Sequence, residues 1–157
     1  MWNVLYVLLS AFLFLTDQGC KRQIKQNYQV GQRNPKPYCG GLVTILRSRN
    51  EGAAFNLMGK HPALVRLLSV ILTAVCSLVF LVTLTRSGSG LLKTGMALLT
   101  GGAFSNTLDR IREKQVTDYI SFRFGPPAFR EIAFNIADFA ILLGGVLLIL
   151  GSGAESV

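Results

Sequence analysis

The sequence has very little histidine and little cysteine. His61 is its single histidine, and it has three cysteines in 157 residues. No Cys-x-x-Cys or His-Glu-x-x-His motif occurs, so the sequence predicts neither a metal centre that needs several such ligands nor a cofactor. Cys20 and Cys39 could pair on an oxidising side, but three cysteines define no disulfide framework.

Acidic residues are also scarce. Eight Asp and Glu stand against sixteen Lys and Arg, which gives a formal net charge of +8. Such a charge can indicate a nucleic-acid binder, but these basic residues flank apolar runs. That arrangement favours anionic lipid headgroups. The sequence therefore predicts membrane lipids as partners and no nucleic acid.

Apolar residues, in contrast, make up half of the sequence. They fall in four runs, and there is too little polar chain to cover four buried core helices. We therefore predict a membrane all-α fold, a single integral domain over residues 1–157 with four transmembrane helices and a small extramembrane β element between helices 1 and 2. The predicted spans are approximately 2–16, 64–85, 90–108 and 132–150, and the extramembrane element is approximately 17–63.

Two segments near the N-terminus need separate interpretation. A signal peptide is an alternative for the first run, but no Lys or Arg precedes it and no small-x-small site follows, so we expect an uncleaved helix. Within the extramembrane element, Leu42–Leu46 predicts a short strand and Arg47–Asn50 a polar turn. Residues 50–55 could lie flat along the bilayer. An ordinary loop is the alternative for this whole element.

Two aspartates stand where hydrophobic spans meet polar chain. Asp118 follows a polar, Arg-containing turn, and Asp138 lies at the head of the last apolar run. An ionisable group at membrane depth marks a functional site by default. Gly125-Pro126-Pro127 breaks the chain between them, so the two can approach from different elements. Two adjacent carboxylates share a proton, which suits aspartic-type peptide hydrolysis.

Other interpretations of these aspartates stay open. Asp at a helix end is often a cap or a solvated interfacial group. A small proton-coupled membrane transporter could use Asp118 or Asp138 as its binding site. A Ser/Lys nucleophilic mechanism is disfavoured, because the sequence places no serine obviously near Lys21.

Further polar residues gather at the predicted helix ends. Asp17 and Lys21 are four residues apart, and Asn106 and Arg110 have the same spacing, which puts each pair on one helix face. Asn135 lies three residues before Asp138. We expect Asn106, Arg110 and Asn135 to orient carboxylates or to hold a substrate backbone or headgroup.

Five motifs in order resemble the lipoprotein signal peptidase (signal peptidase II) family. Residues 17–21 resemble its Asp-Gln-x-x-Lys, residues 50–55 its Asn-x-Gly-Ala-Ala-Phe, and residues 101–110 its Gly-Gly-Ala-x-Gly-Asn-x-x-Asp-Arg. Val116–Ile120 and Phe134–Asp138 are similar to its two aspartate motifs. Ser105 departs from the pattern, because the family usually has Gly there.

The resemblance implies an intramembrane aspartic endopeptidase. Its substrates would be diacylglyceryl-modified bacterial prolipoproteins, cut just before the lipidated Cys by the catalytic pair Asp118 and Asp138. Globomycin-type cyclic peptides would inhibit it, and a non-cleaving paralogue that binds lipidated peptides is the alternative within this class. The positions that map onto substrate contacts or supporting residues are Asp17, Lys21, Asn50, Gly52, Asn106, Arg110 and Asn135.

The implied location conflicts with the charge pattern. The resemblance implies the bacterial cytoplasmic (inner) membrane, with the active site on its outer face. Fourteen of the sixteen basic residues lie within residues 17–66 and 106–130, on what would be one side of a four-helix protein. The positive-inside rule would put that side in the cytoplasm. We give the motifs more weight, since a lipoprotein cleavage site must be reached from the translocated side.

Overall fold

The computed structural model describes residues 2–52, 58–87 and 89–154. Its elements in chain order are α1 (Trp2–Asn27), a 3-10 turn (Cys39–Gly41), β1 (Val43–Asn50), α2 (Pro62–Thr85), α3 (Gly90–Glu113), β2 (Val116–Phe122), α4 (Pro127–Arg130), β3 (Ala133–Phe134) and α5 (Ile136–Ala154). The predicted mostly helical fold with a small β element is thus confirmed.

The outer surfaces of the long helices are apolar. Large hydrophobic side chains such as Phe12, Leu142 and Ile149 are more than two-thirds exposed, which is typical of a surface that faces lipid. Among the described residues, two helices have the length and apolar composition to cross a membrane, α1 from Asn3 and the whole of α2. α5 contains a shorter apolar stretch, Ile136–Ser152.

Helix α3 lies in the middle of the bundle and contacts α1, α2 and α5. Small residues allow these backbones to approach closely. A Cβ built on Gly101 would lie 2.6 Å from the carbonyl oxygen of Ser10 in α1, and one on Gly102 would lie 2.6 Å from that of Ala137 in α5. α3 therefore carries its polar C-terminal residues into a fixed position between α1 and α5.

Two neighbouring glycines of α5 provide a test of this packing. A Cβ on Gly144 would meet the Gly95 carbonyl oxygen at 2.7 Å, whereas one on Gly145 has nothing within 4 Å. We expect Gly144→Ala to lower the free energy of unfolding by about 1–3 kcal/mol, because α3 and α5 must separate. Gly145→Ala should be neutral or slightly stabilising. Thermal unfolding in detergent checks both, and equal effects would contradict the packing.

Several predicted boundaries are wrong. α1 continues beyond residue 16 to Asn27, and at its C-terminal end Arg47 donates to the carbonyl oxygens of Lys25 (3.2 Å) and Tyr28 (3.0 Å). The predicted turn Arg47–Asn50 is part of β1, where it pairs with β2. α5 begins at Ile136 rather than 132, after the short strand β3.

The β element is larger than predicted and differently composed. β1, β2 and β3 form one antiparallel sheet in that order, so the sheet also includes the segment between α3 and α5. Residues 53–55, predicted to lie along the bilayer, are outside the described residues. Within the described part, Cys20, Cys39 and Cys76 are free thiols.

The sheet register positions the ends of three elements. β1 pairs with β2 so that Ser48 is opposite Asp118 and Asn50 is opposite Val116. β2 pairs with β3, with Ile120 opposite Phe134, and β3 is followed directly by Asn135 and α5. The sheet therefore brings Asn50, Asp118 and the beginning of α5 to one place, next to the polar end of α3.

Candidate active site

Asp118 lies on β2 and is almost completely buried, with 3% of its surface exposed. Its Oδ1 accepts a hydrogen bond from the Asn135 side-chain amide at 2.6 Å, and its Oδ2 accepts one from the Asn50 amide at 3.2 Å. Burial and the nearby negative charge of Asp138 raise the pKa of Asp118 to about 7, although both amide hydrogen bonds act to lower it. Asp118 can therefore hold a proton near neutral pH.

Asn135 connects the two aspartates. Its Oδ1 accepts from the backbone N–H of Asp138 at 2.9 Å, and Asp138 Oδ2 accepts from the backbone N–H of Asn135 at 3.0 Å. This reciprocal pair is a capping box at the first turn of α5. Because the Asn135 amide also donates to Asp118, one buried residue contacts both carboxylates.

Asn106 holds the other oxygen of Asp138. Its amide nitrogen donates to Asp138 Oδ1 at 2.8 Å, while its Oδ1 accepts from Lys21 Nζ at 2.8 Å. The ammonium group can only donate, so it must face the oxygen of the Asn106 amide. The amide NH₂ group is thereby directed toward Asp138.

A buried charged cluster lies behind Asn106. Lys21 Nζ is 2.7 Å from Asp17 Oδ2 and 3.2 Å from Asp109 Oδ2, and all three side chains are almost inaccessible to solvent. Asp109 also accepts from Gln18 at 3.0 Å and from the backbone N–H of Thr117 at 3.2 Å. A buried cation shared by two carboxylates is costly to disrupt.

Ser105 lies inside this cluster, so the prediction that no serine is near Lys21 is wrong. Its hydroxyl is 3.4 Å from Lys21 Nζ and donates to Asp17 Oδ2 at 2.6 Å. Lys21 and Ser105 are 84 residues apart in the sequence, so their spacing could not predict this contact. Ser105 is fully buried and its proton is engaged by Asp17, so its position suits a structural partner rather than a nucleophile.

Arg110 reaches toward the loop that follows β1. Its guanidinium donates to the carbonyl oxygen of Gly52 at 2.9 Å, and the Gly52 N–H donates to Asn50 Oδ1 at 3.1 Å. Arg110 Nε is buried and has no hydrogen-bond partner among the described residues. Arg110 therefore holds Gly52, which in turn holds the Asn50 side chain that donates to Asp118.

All nine predicted site residues belong to this one connected set. From the sequence, Gln18 and Tyr119 were not identified as residues of this site, and Ser105 was noted only as a departure from the family pattern. Tyr119 donates to Asp17 Oδ1 at 2.9 Å, across 102 residues of sequence. Its position directly after Asp118 was the only available signal, and that signal does not identify a partner.

The fold and the site together define a helical membrane protein with two carboxylates, the buried Asp118 and the half-buried Asp138, at the junction of helix ends and a small sheet. The model of the family described as "Signal peptidase (SPase) II" matches residues 9–153. The chain therefore belongs to the signal peptidase II family, which makes it a protease, and the resemblance of its motifs is confirmed.

Individual relatives agree with this. The chain is similar to the lipoprotein signal peptidase of Lactobacillus gasseri, with 32% identity over 148 residues, 94% of this chain and 91% of the relative. It is similar to that of Geobacillus thermodenitrificans, with 32% identity over 147 residues, 94% and 88% of the two chains.

Two solved structures, both described as bacterial membrane enzymes, have the same fold. One has a TM-score of 0.80 at 22% identity and covers 96% of this chain and 88% of its own. The other has a TM-score of 0.74 at 26% identity and covers 92% and 90%. The first supports the fold alone.

Proposed function

We propose that this chain removes signal peptides from prolipoproteins as an aspartic endopeptidase, with Asp118 and Asp138 as its catalytic pair. The observation that carries the proposal is the contact of Asn135 with both carboxylates. Relatives named lipoprotein signal peptidases support the substrate class. The substrate is then a diacylglyceryl-modified prolipoprotein, cut before the lipidated Cys.

The surroundings of the two carboxylates suggest different roles. Asp138 accepts two N–H donors at the N-terminal turn of α5, where the helix dipole stabilises negative charge. Asp118 has a pKa of about 7 and can start protonated. Asp138 takes a proton from water while the water oxygen attacks the scissile carbonyl carbon, and Asp118 donates its proton to the carbonyl oxygen.

Collapse of the resulting diol breaks the C–N bond. Asp118 takes back the proton from a diol hydroxyl, and Asp138 passes its proton to the leaving amine, so both aspartates return to their initial states. In this mechanism Lys21, Asn106 and Asn135 orient the carboxylates. Arg110 holds Gly52, and Gly52 holds Asn50 against Asp118, where a peptide backbone can bind. Asp17 is the counter-ion of Lys21.

A cleavage assay with the purified enzyme tests this function. The probe is a diacylglyceryl-modified prolipoprotein peptide, and mass spectrometry should find a product that begins with the lipidated Cys. Water attacks directly in the proposed mechanism, so added hydroxylamine should give no hydroxamate. A hydroxamate product would indicate a covalent acyl-enzyme, and an uncleaved but bound peptide would indicate a lipopeptide-binding protein. Proton-linked uptake in vesicles without cleavage would favour a transporter.

The pKa of Asp118 predicts a pH profile. As general acid, Asp118 must be protonated, so kcat/KM should fall as the pH rises through about 7. The Asn50 amide stabilises the ionised form, so Asn50→Ala should raise this pKa further and move the alkaline limb to higher pH. Initial rates between pH 5 and 9, roughly the range in which such a group titrates, check this. A limb that moves to lower pH would contradict the assignment.

Membrane placement completes the proposal. We propose that all four long helices span the bacterial inner membrane and that the sheet and site lie at its outer face, where membrane lipids and globomycin-type inhibitors can reach them. The exposed thiol of Cys39 tests the orientation. A membrane-impermeant maleimide should label it in cells whose cytoplasmic membrane is intact. Labelling only after lysis would reverse the orientation, in agreement with the charge bias.

A further inference from the structure

The Tyr119 hydroxyl joins α1 to the first turn of α5. Tyr119 is buried, with 4% of its surface exposed. Its hydroxyl donates to Asp17 Oδ1 at 2.9 Å and accepts from the backbone N–H of Ile136 at 3.2 Å. Ile136 is the first residue of α5, so this N–H has no partner within the helix. The tyrosine therefore satisfies one of the donors at the end of the helix that carries Asp138.

A second route connects Asp17 to the same turn. Asp17 Oδ2 contacts Lys21 Nζ, which donates to Asn106, and Asn106 donates to Asp138. The two routes begin at the two oxygens of one carboxylate. One reaches the side chain of Asp138, and the other reaches the backbone two residues before it. Together they form a closed ring through α1, α3, α5 and β2.

We propose that Tyr119 is a positioning residue for Asp138 and that Ser105 supports it by holding the opposite oxygen of Asp17. The inference rests on the proposed function, because it assumes that Asp138 acts on the attacking water. A catalytic group displaced by a fraction of an ångström loses much of its effectiveness. Without the Tyr119 hydroxyl, Asp17 Oδ1 and the Ile136 N–H both lose their partner in a buried site.

The Ser105 hydroxyl completes this arrangement around Asp17. It donates to Asp17 Oδ2 at 2.6 Å and accepts from Gln18 Nε2 at 2.9 Å. With Lys21 and Tyr119, it surrounds the Asp17 carboxylate with three partners. A glycine at position 105 would supply none of this, so Tyr119 and Ser105 act on Asp138 through the same carboxylate.

Tyr119→Phe tests the proposal, because it removes the hydroxyl and keeps the ring. We expect kcat on the lipidated peptide to fall on the order of tenfold, while KM stays within about twofold of the wild-type value. Tyr38→Phe is the matched control, since Tyr38 is an exposed tyrosine outside the site and should leave both constants unchanged. A wild-type kcat in Tyr119→Phe, or a loss confined to KM, overturns the proposal.

A double-mutant cycle separates positioning from general destabilisation. Ser105→Ala alone should lower kcat less than Tyr119→Phe, and the loss in the double variant should differ from the product of the two single losses, since both hydroxyls bind one carboxylate. Strict multiplicativity overturns the coupling. If Tyr119→Phe does not fold, the kcat of Ser105→Ala alone decides: no loss overturns the proposal. Absence of cleavage by the wild-type enzyme would instead reject the proposed function.

Discussion

Asp118→Asn and Asp138→Asn should each lower kcat by about 10³–10⁴-fold, the loss expected when a positioned acid or base is removed. Asn has the size of Asp but neither accepts a proton from water nor donates one to a carbonyl oxygen. The two carboxylates act on one water and one carbonyl group. The double variant should therefore be little worse than either single variant.

The replacement also has a structural effect that the experiment must separate. Both oxygens of Asp118 accept from side-chain amides, those of Asn135 and Asn50, so an Asn at position 118 would direct its own NH₂ group at one of these donors. A buried mismatch of this kind costs about 1–3 kcal/mol. Rates should accordingly be normalised to the fraction of folded protein, measured by thermal unfolding in the same detergent.

Glu131→Gln is a suitable control for charge removal. Glu131 lies between the two aspartates in sequence but is exposed, and its neutralisation should leave kcat within about twofold of wild type, as for surface substitutions away from a site. Retention of more than about a tenth of the wild-type kcat by folded Asp118→Asn or Asp138→Asn is incompatible with the dyad.

The aspartate pair was predictable because its chemistry is local. A carboxylate at the edge of an apolar run is costly, and the spacing of Asn135 and Asp138 alone puts them on the first turn of one helix. The break at Gly125-Pro126-Pro127 indicates that the two aspartates belong to different elements, and the positions of Asp118 on β2 and Asp138 on α5 confirm this.

The partners that orient the pair were much less accessible to sequence reasoning. β1 extends through Arg47–Asn50, a polar segment with no apolar alternation, because its pairing with β2 determines its conformation. The first helix was predicted to end near residue 16, where its hydropathy falls. It continues because Lys21 pairs with the carboxylates of Asp17 and Asp109 and donates to Asn106. Asp109 and Asn106 lie on α3, more than 80 residues away in the sequence. Neither hydropathy nor residue spacing can predict such contacts between residues far apart in the sequence.

Lys21→Met should have the largest effect on stability. Met keeps most of the side-chain volume but removes the ammonium that lies between Asp17 and Asp109. Two buried carboxylates would then face each other without a cation, and loss of one partner from a buried ion pair costs about 3–5 kcal/mol. Thermal unfolding in detergent should show a large decrease in Tm.

Lys25→Met provides the matched comparison one helical turn further along α1. Lys25 pairs with Glu113, but both side chains are partly exposed. Surface pairs of this kind contribute about 0–1 kcal/mol, so the decrease in Tm should be small. A Lys21→Met variant that loses no more stability than Lys25→Met would mean that the buried cluster is not held together by the ammonium.

The double variant Asp109→Asn/Lys21→Met separates the two roles of Lys21, because it removes one carboxylate of the cluster and leaves Asp17, the partner of Tyr119, in place. Removal of one negative charge relieves the repulsion, so part of the Tm lost in Lys21→Met should return. Activity should not return with it, because Asn106 still lacks the ammonium that directs its amide toward Asp138. If kcat recovers together with Tm, Lys21 only stabilises the fold. If Tm recovers while kcat stays low, Lys21 orients the catalytic carboxylate through Asn106.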